Sequence, residues 1–144
     1  MNKYIVNVEA AIYKGDKWLI IQRSAKEDHA PGLLSLVGGK VETKEAASEV
    51  LEENLIREIR EEVDIEVSKK LTYVESKSFI SDTNDKVVDI VFLCIYKSGV
   101  PRCVSEDEVS KILWMTCDEI QENNKAPIWL KESILKADKK RREI

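Results

Sequence analysis

At 144 residues the chain is long enough to bury a core of its own, and one domain over 1–144 is expected. Its make-up, 43% hydrophobic and 35% charged with five Gly and three Pro, excludes a disordered chain. A net charge of −4 argues against generic binding to a nucleic-acid backbone, so any handling of phosphates would need a cation.

The first stretch, MNKYIVNVEAAIY, lacks the apolar centre of a signal peptide, and no apolar run in the chain approaches membrane-spanning length. Tyr4–Tyr13 is rich in β-branched and small apolar residues and reads as a strand. Gly15-Asp16 makes a turn and Lys17–Arg23 a second strand, which together predict a hairpin. Ser24–Gly32 is polar and ends in Pro31-Gly32, a loop. A short apolar run, Leu33–Val37, leads into the double glycine Gly38-Gly39.

A helix is expected from Lys44 or Ala46 to Val63, capped by Thr43 or Ser48, through a segment rich in Ala, Leu and Glu. Leu71–Ile80 and Lys86–Lys97 predict two further strands around the turn Ser81–Asp85. The second contains VVDIVFLCIY, nearly continuous in apolar residues and so expected at the centre of its sheet. Ile112–Met115 reads as a short strand. Thr116-Cys117-Asp118-Glu119 then has the spacing of a capping box. A last helix is expected from Pro127, a first-turn proline, into a Lys-rich end whose run Lys139–Arg142 reads as a frayed, solvated terminus. This order predicts a mixed α/β sandwich with helices on both faces.

Chemistry concentrates at the end of the central helix. At about 100° per residue, Leu55, Ile56, Ile59 and Val63 form one apolar stripe. Glu58 and Glu62 fall at its edge, Glu61 one step further, while Arg57 and Arg60 point away. Like charges at spacings of three and four cost about 0.2–0.5 kcal/mol per pair, and the helix C-terminus adds a second penalty for anions. A divalent cation with oxygen ligands would relieve both. The alternative is a solvated acidic face.

From Gly38 to Ile65 the chain resembles the signature of the Nudix hydrolase family. Gly38-Gly39-Lys40-Val41-Glu42, preceded by Pro31-Gly32, corresponds to its start, and Arg57-Glu58-Ile59-Arg60-Glu61-Glu62-Val63-Asp64-Ile65 to its end. The family resemblance implies a MutT-like α/β/α sandwich with a mixed β-sheet between helices. It implies a hydrolase that cleaves a pyrophosphate bond in a nucleoside di- or triphosphate derivative. Glu58, Glu61 and Glu62, with the Gly39 carbonyl, would hold Mg²⁺ or Mn²⁺, and Arg57 would hold a glutamate in place. Gly38 and Gly39 would let the loop backbone pass close to the metal. The general base would be a motif glutamate such as Glu61, or Glu108 from the later acidic stretch Ser105–Glu108. Arg23 would contact phosphate.

The signature is departed from in three places. From Gly39 to Arg57 the chain is four residues longer than usual, so its mid-motif glutamate is Glu45 or Glu49, with helical phase favouring Glu49. Asp64 stands for the closing glycine, and Val37 where a proline is common. Asp is among the non-glycine residues that best tolerate a left-handed cap. A Nudix-fold binding or regulatory module without catalysis is the second reading.

The remaining residues carry less. Cys94, Cys103 and Cys117 are odd in number and form no CxxC pair, which predicts free thiols and a cytoplasmic setting. His29 in its polar loop is not expected to be catalytic. Trp18, Trp114 and Trp129 are expected to be core or half-buried rather than base-stacking. A small-molecule nucleotide is the expected partner, with no membrane, and a homodimer is neither required nor excluded.

Overall fold

A computed structural model describes residues 3–144. Strand β1 (Ile5–Lys14) is the one to which most of the molecule attaches. On one side it pairs in parallel with β7 (Lys86–Ser98), in register from Ile5 opposite Val87 to Tyr13 opposite Ile95. On its other side it meets two antiparallel strands in succession. These are β4 (Val37–Lys40) along Asn7–Ala10, and β2 (Lys17–Arg23) through the hairpin at Tyr13–Trp18. The long β1–β7 ladder makes the sheet mixed, as expected.

Short β3 (Leu34–Ser35) and long β8 (Val109–Thr116) flank β2. Beyond β7 lie β5 (Glu66–Val67) and β6 (Thr72–Ile80), both antiparallel to it. Helix α1 (Val50–Val63) covers one face, packing Leu55, Ile59 and Val63 on Val8, Ala10 and Ile12. The short α2 (Cys117–Glu122) and α3 (Ile128–Arg142) cover the other, where Leu130 and Ile134 meet Ala11, Trp18 and Ile20. Alternate β1 residues thus feed two separate cores. Each large apolar side chain sealed in them is worth about 1.5–3 kcal/mol.

Four expectations need correction. Helix α1 starts at Val50, not at Lys44 or Ala46, and neither Thr43 nor Ser48 caps it. Thr43 turns its hydroxyl to the Glu45 carbonyl, and Glu49 sits in the left-handed region at φ 53°. Helix propensity over 44–49 yields here because these residues are exposed and no apolar face holds them to the sheet. The run Leu33–Val37 divides into two strands, so Gly38 and Gly39 lie inside β4 opposite Glu9 and Val8 rather than in a loop.

The basic end of α3 is docked rather than frayed. Arg141 and Arg142 both reach the buried carboxylate of Asp138, at 2.8 and 2.7 Å. Trp129 is half-buried at the start of α3, within what was expected of it. Lastly, Pro127 is the residue before the first helical turn. The capping box at Thr116 and Glu119 and the left-handed cap at Asp64 (φ 55°) are present as expected, and all three cysteines are free.

Candidate active site

The C-terminal turns of α1, the middle of β4 and the loop before β8 meet at one corner of the sheet. Gly39 is what lets the first two approach. A Cβ at this position would stand 2.6 Å from Glu58 Cδ, so the β4 backbone lies directly against that carboxyl. At Gly38 a Cβ would run into the Val8 carbonyl oxygen. Both glycines therefore serve close approach, not a turn.

The third element is tied by its backbone. Arg102 N–H donates to Val63 O at 3.0 Å and Val104 N–H to Glu62 O at 3.2 Å, which satisfies carbonyls left free at the helix end. Asp64 adds a 2.9 Å pair with Arg102 Nε. The chain then turns at Ser105, and Ser24 N–H fixes Glu108 through its carbonyl at 2.9 Å. Glu108 is thereby placed where its charge acts on both Glu58 and Glu62.

The electrostatics of this corner are unfavourable as they stand. Burial pushes the Glu62 carboxyl up to about 8, and the neighbouring Glu58 and Glu108 charges add to this, with Arg23 opposing. Glu58 is also raised, first by burial and then by Glu61 and Glu108, while Arg57 lowers it. Glu58 and Glu62 stand close enough for a protonated Glu62 to donate to Glu58, and a proton or a cation between them would relieve the same repulsion.

Of the residues expected at the site, Glu58, Glu62, Glu108 and Arg23 converge, and Gly39 lies against Glu58. Glu61 stands on their outer side, its charge acting on Glu58. It is exposed and accepts from Arg57 Nη1 at 3.1 Å. Arg57 does not point freely away: it also lies 3.4 Å from Glu58 Oε1 and donates to Asn54 Oδ1 at 2.9 Å. Among the described residues, no three His, Cys, Asp or Glu side chains already form a metal cage. Two adjacent carboxyls, with a third acid nearby, nevertheless form an oxygen donor set suited to a hard divalent cation.

Asn54 is a site residue that the sequence reading missed. Buried in α1, it accepts Glu42 N–H at 2.9 Å and Arg57 together, and donates to Val50 O at 2.8 Å. One side chain thus ties the loop after β4 to the helix and to the arginine. Its signal was an asparagine, a weak helix former, in the interior of a Leu- and Glu-rich helix.

A cleft of about 790 Å³ opens from this corner across the α3 side of the sheet. Gly38, Gly39 and Arg23 line its near end, while Asn7, Glu9, Asp89 and Lys77 form its floor. Trp129 and Phe79, both half exposed, stand along it. Arg23 donates through Nε to His29 O at 2.9 Å and faces Glu27 at 3.5 Å, so its head is steered but not buried. His29 sits at the rim, 3.3 Å from Asp82.

The NUDIX domain family matches the chain over residues 3–136, and the chain belongs to this family. Its relatives include YfcD of Escherichia coli K12, an uncharacterised Nudix hydrolase that is 34% identical over 105 residues. That match takes in 72% of this chain and 54% of YfcD, so the chain spans about half the length of this relative. Among solved structures, a MutT NUDIX hydrolase of Burkholderia pseudomallei superposes with a TM-score of 0.79 at 26% identity, covering 94% of this chain and 98% of that one. The NUDIX domain of Shewanella oneidensis NrtR, crystallised with ADP ribose, gives 0.72 at 17% identity over 100% and 91% of the two chains, a likeness of fold. Among the described residues no helix is long and apolar enough to cross a membrane.

Proposed function

We propose that the protein is a divalent-cation-dependent pyrophosphohydrolase of nucleoside diphosphate derivatives, a nucleoside triphosphate or an ADP-ribose-like compound. The observation that carries this reading is the carboxyl of Glu58, close to Glu62 and Glu108 and lying against the Gly39 backbone, which itself lines the near end of the cleft. Membership of the Nudix family supports it. Glu58 and Glu62, with Glu61 and the Gly39 carbonyl, would hold Mg²⁺ or Mn²⁺. When bound, such a cation neutralises diphosphate charge and makes water a better nucleophile near neutral pH.

The chain's own residues have distinct tasks. Arg57 braces Glu58 and Glu61, and Asn54 braces Arg57, so the carboxylates keep their places while ligands come and go. Arg23 meets the phosphate chain at the near end of the cleft. Glu108 takes the proton of the attacking water, the water oxygen bonds to one phosphorus, the bridging P–O bond of that phosphorus breaks, and two phosphate products leave. Three free thiols suit a reducing compartment such as the cytoplasm.

The test is phosphoanhydride hydrolysis across a panel of nucleoside triphosphates and nucleoside diphosphate sugars, with Mg²⁺, with Mn²⁺ and with chelator. Turnover that needs the cation and collapses in Glu62→Gln is the expected result. Nucleotide binding without turnover would replace the enzyme by a binding module.

A further inference from the structure

The floor of the cleft carries acids that the hydrolytic chemistry does not use. Glu9 points from β1 and Asp89 from the neighbouring β7, both toward the α3 side. Asp89 is 1% exposed. One of its oxygens, Oδ1, receives Asn7 Nδ2 at 2.7 Å, whereas the buried Oδ2 has no N–H donor. The group that can satisfy it is Glu9, provided Glu9 carries a proton. Burial, the hydrogen bond to Asp89 and the Asp89 charge all hold the Glu9 carboxyl well above the usual carboxylate range, although Lys77 opposes them. A Glu9 that carries a proton can place its O–H on the unpartnered Asp89 Oδ2, which would leave its carbonyl oxygen as an acceptor toward the cleft.

Around that acceptor the cleft is built for a flat ring. Trp129 and Phe79 offer half-exposed aromatic faces, and Leu34, Leu36 and Val87 line it with apolar surface. Lys77 is occupied elsewhere, donating to Ser133 Oγ at 2.8 Å and to Trp129 O at 3.4 Å. Aromatic walls with a small number of aimed polar groups are what a heterocycle-binding pocket requires. The Gly38–Gly39 strand joins this floor to the carboxylate corner, since Gly38 stands opposite Glu9 in the β1–β4 ladder.

We propose that Glu9, oriented by Asp89, is a specificity residue that accepts an N–H from an exocyclic amino group on the ligand's heterocyclic base. This rests on the nucleotide reading proposed above. Glu9 would contact the base, while Asp89 is a positioning residue that acts through Glu9. A site built around a fixed acceptor binds a base that supplies the donor and penalises one that leaves the acceptor dry.

Matched pairs of nucleoside 5′-monophosphates test this by isothermal titration in chelator. The pairs are adenosine against purine-riboside monophosphate, and guanosine against inosine monophosphate; each differs by one amino group. Neither member has a pyrophosphate bond, so the readout needs no turnover and no cation. The protein is expected to prefer the amino member of at least one pair by about tenfold. Glu9→Gln keeps a carbonyl acceptor and supplies an N–H to Asp89, so its preference should stay within about twofold of the parent's. Glu9→Met should bring the preference close to one, and Glu9→Ala provides the same reading if the Met variant fails to fold.

Three results overturn the proposal: no preference in the parent, a preference that survives Glu9→Met or Glu9→Ala, or no detectable binding of any of the four. Hydrolysis with no amino preference overturns this inference and leaves the proposed activity standing. Amino-selective binding in a protein without turnover does the reverse.

Discussion

Two groups of acids lie on opposite faces of one sheet, and their surroundings supply them differently. On the α3 face, Glu9, Asp89 and Glu75 are supplied in part, one buried oxygen of Asp89 and one of Glu75 having no donor. Asn7 meets Asp89, Lys136 meets Glu75 at 3.2 Å, and Lys77 lies close by. On the α1 face, Glu58, Glu62 and Glu108 face one another with Arg23 and Arg57 as the main counter-charges, Arg23 also facing Glu27 and Arg57 divided between Glu58 and Glu61. The strand-borne group draws an amide and two lysines from the fold; the helix-borne group draws two guanidinium groups that it shares with other acids.

The sharpest way to break this comparison is Glu62→Gln. It should lower cation-dependent turnover by more than about a hundredfold, beyond the usual cost of losing an outer partner of a metal site. The fold should be retained, because a neutral amide replaces a carboxyl that the native state already prefers protonated. A kinetic assay beside thermal unfolding checks both; equal loss of activity and stability would remove the distinction between the two acid groups.

A pH series separates the groups without changing catalysis. For Glu62 the native value of about 8 lies above the ordinary 4.5. The native state thus holds this proton more tightly than the unfolded chain does. Its stabilisation is whole below about pH 4.5 and is lost as pH rises through about 8. Glu9 has the same sign. Mg²⁺ should stand in for the proton on the α1 face only. Added at pH 8 it should raise stability, by about 2.7 kcal/mol at a hundred times its Kd, and have much less effect at pH 5. Urea unfolding at the two pH values, with Mg²⁺ and with chelator, measures this. Glu62→Gln should abolish the Mg²⁺ response, and Glu9→Gln should keep it.

The paired glycines divide the same way. Gly38→Ala drives a Cβ into the Val8 carbonyl oxygen, a backbone atom that cannot give way, and should cost about 1–3 kcal/mol or more. Gly39→Ala meets the mobile end of Glu58 instead. It should leave stability within about 1 kcal/mol and reduce turnover at least tenfold by displacing that carboxyl. Denaturant melts alongside the assay distinguish the two.

Arg57→Ala comes next. Its pairs with Glu58 and Glu61 are partly exposed, so stability should fall by no more than about 1 kcal/mol. Turnover should drop ten- to a hundredfold as the braced glutamates loosen. Equal losses, measured in the same two experiments, would reduce Arg57 to a surface residue.

How much of this was legible in the sequence follows from the range of each interaction. The strands, the α1 stripe and the Thr116 cap depend on neighbours within one element, so periodicity and spacing exposed them. The convergence of Glu58 and Glu62 was legible for the same reason, being one helical turn. Glu108 could be named from the resemblance, but only the ties of residues 102–108 to the helix end and to Ser24 give it a place. The α1 start was misread because propensity over 44–49 favours helix, while no core contact anchors it. Asp89 was concealed within VVDIVFLCIY, where one acid hardly disturbs an apolar run. Glu9 lay in a strand whose partner acid is eighty residues away, and no local pattern marks such a pair.

The smallest predicted effect concerns the rigidity of the helix end that carries the carboxylates. Asp64 closes α1 in the left-handed region, and its N–H reaches Arg60 O and Ile59 O. Asp64→Gly removes the cost of a Cβ in that conformation, about 1 kcal/mol, and gives up the exposed pair with Arg102, worth up to about 1 kcal/mol. The two nearly cancel, so stability should stay within about 0.5 kcal/mol. Asp64→Ala keeps the Cβ, loses the pair and should cost about 1 kcal/mol. Chemical denaturation of both variants measures the difference. The Arg102 and Val104 amides hold the helix end independently of the Asp64 side chain, so turnover should follow neither change closely. A large loss of turnover in Asp64→Gly would mean that the cap itself, and not those amides, sets where Glu58 and Glu62 stand.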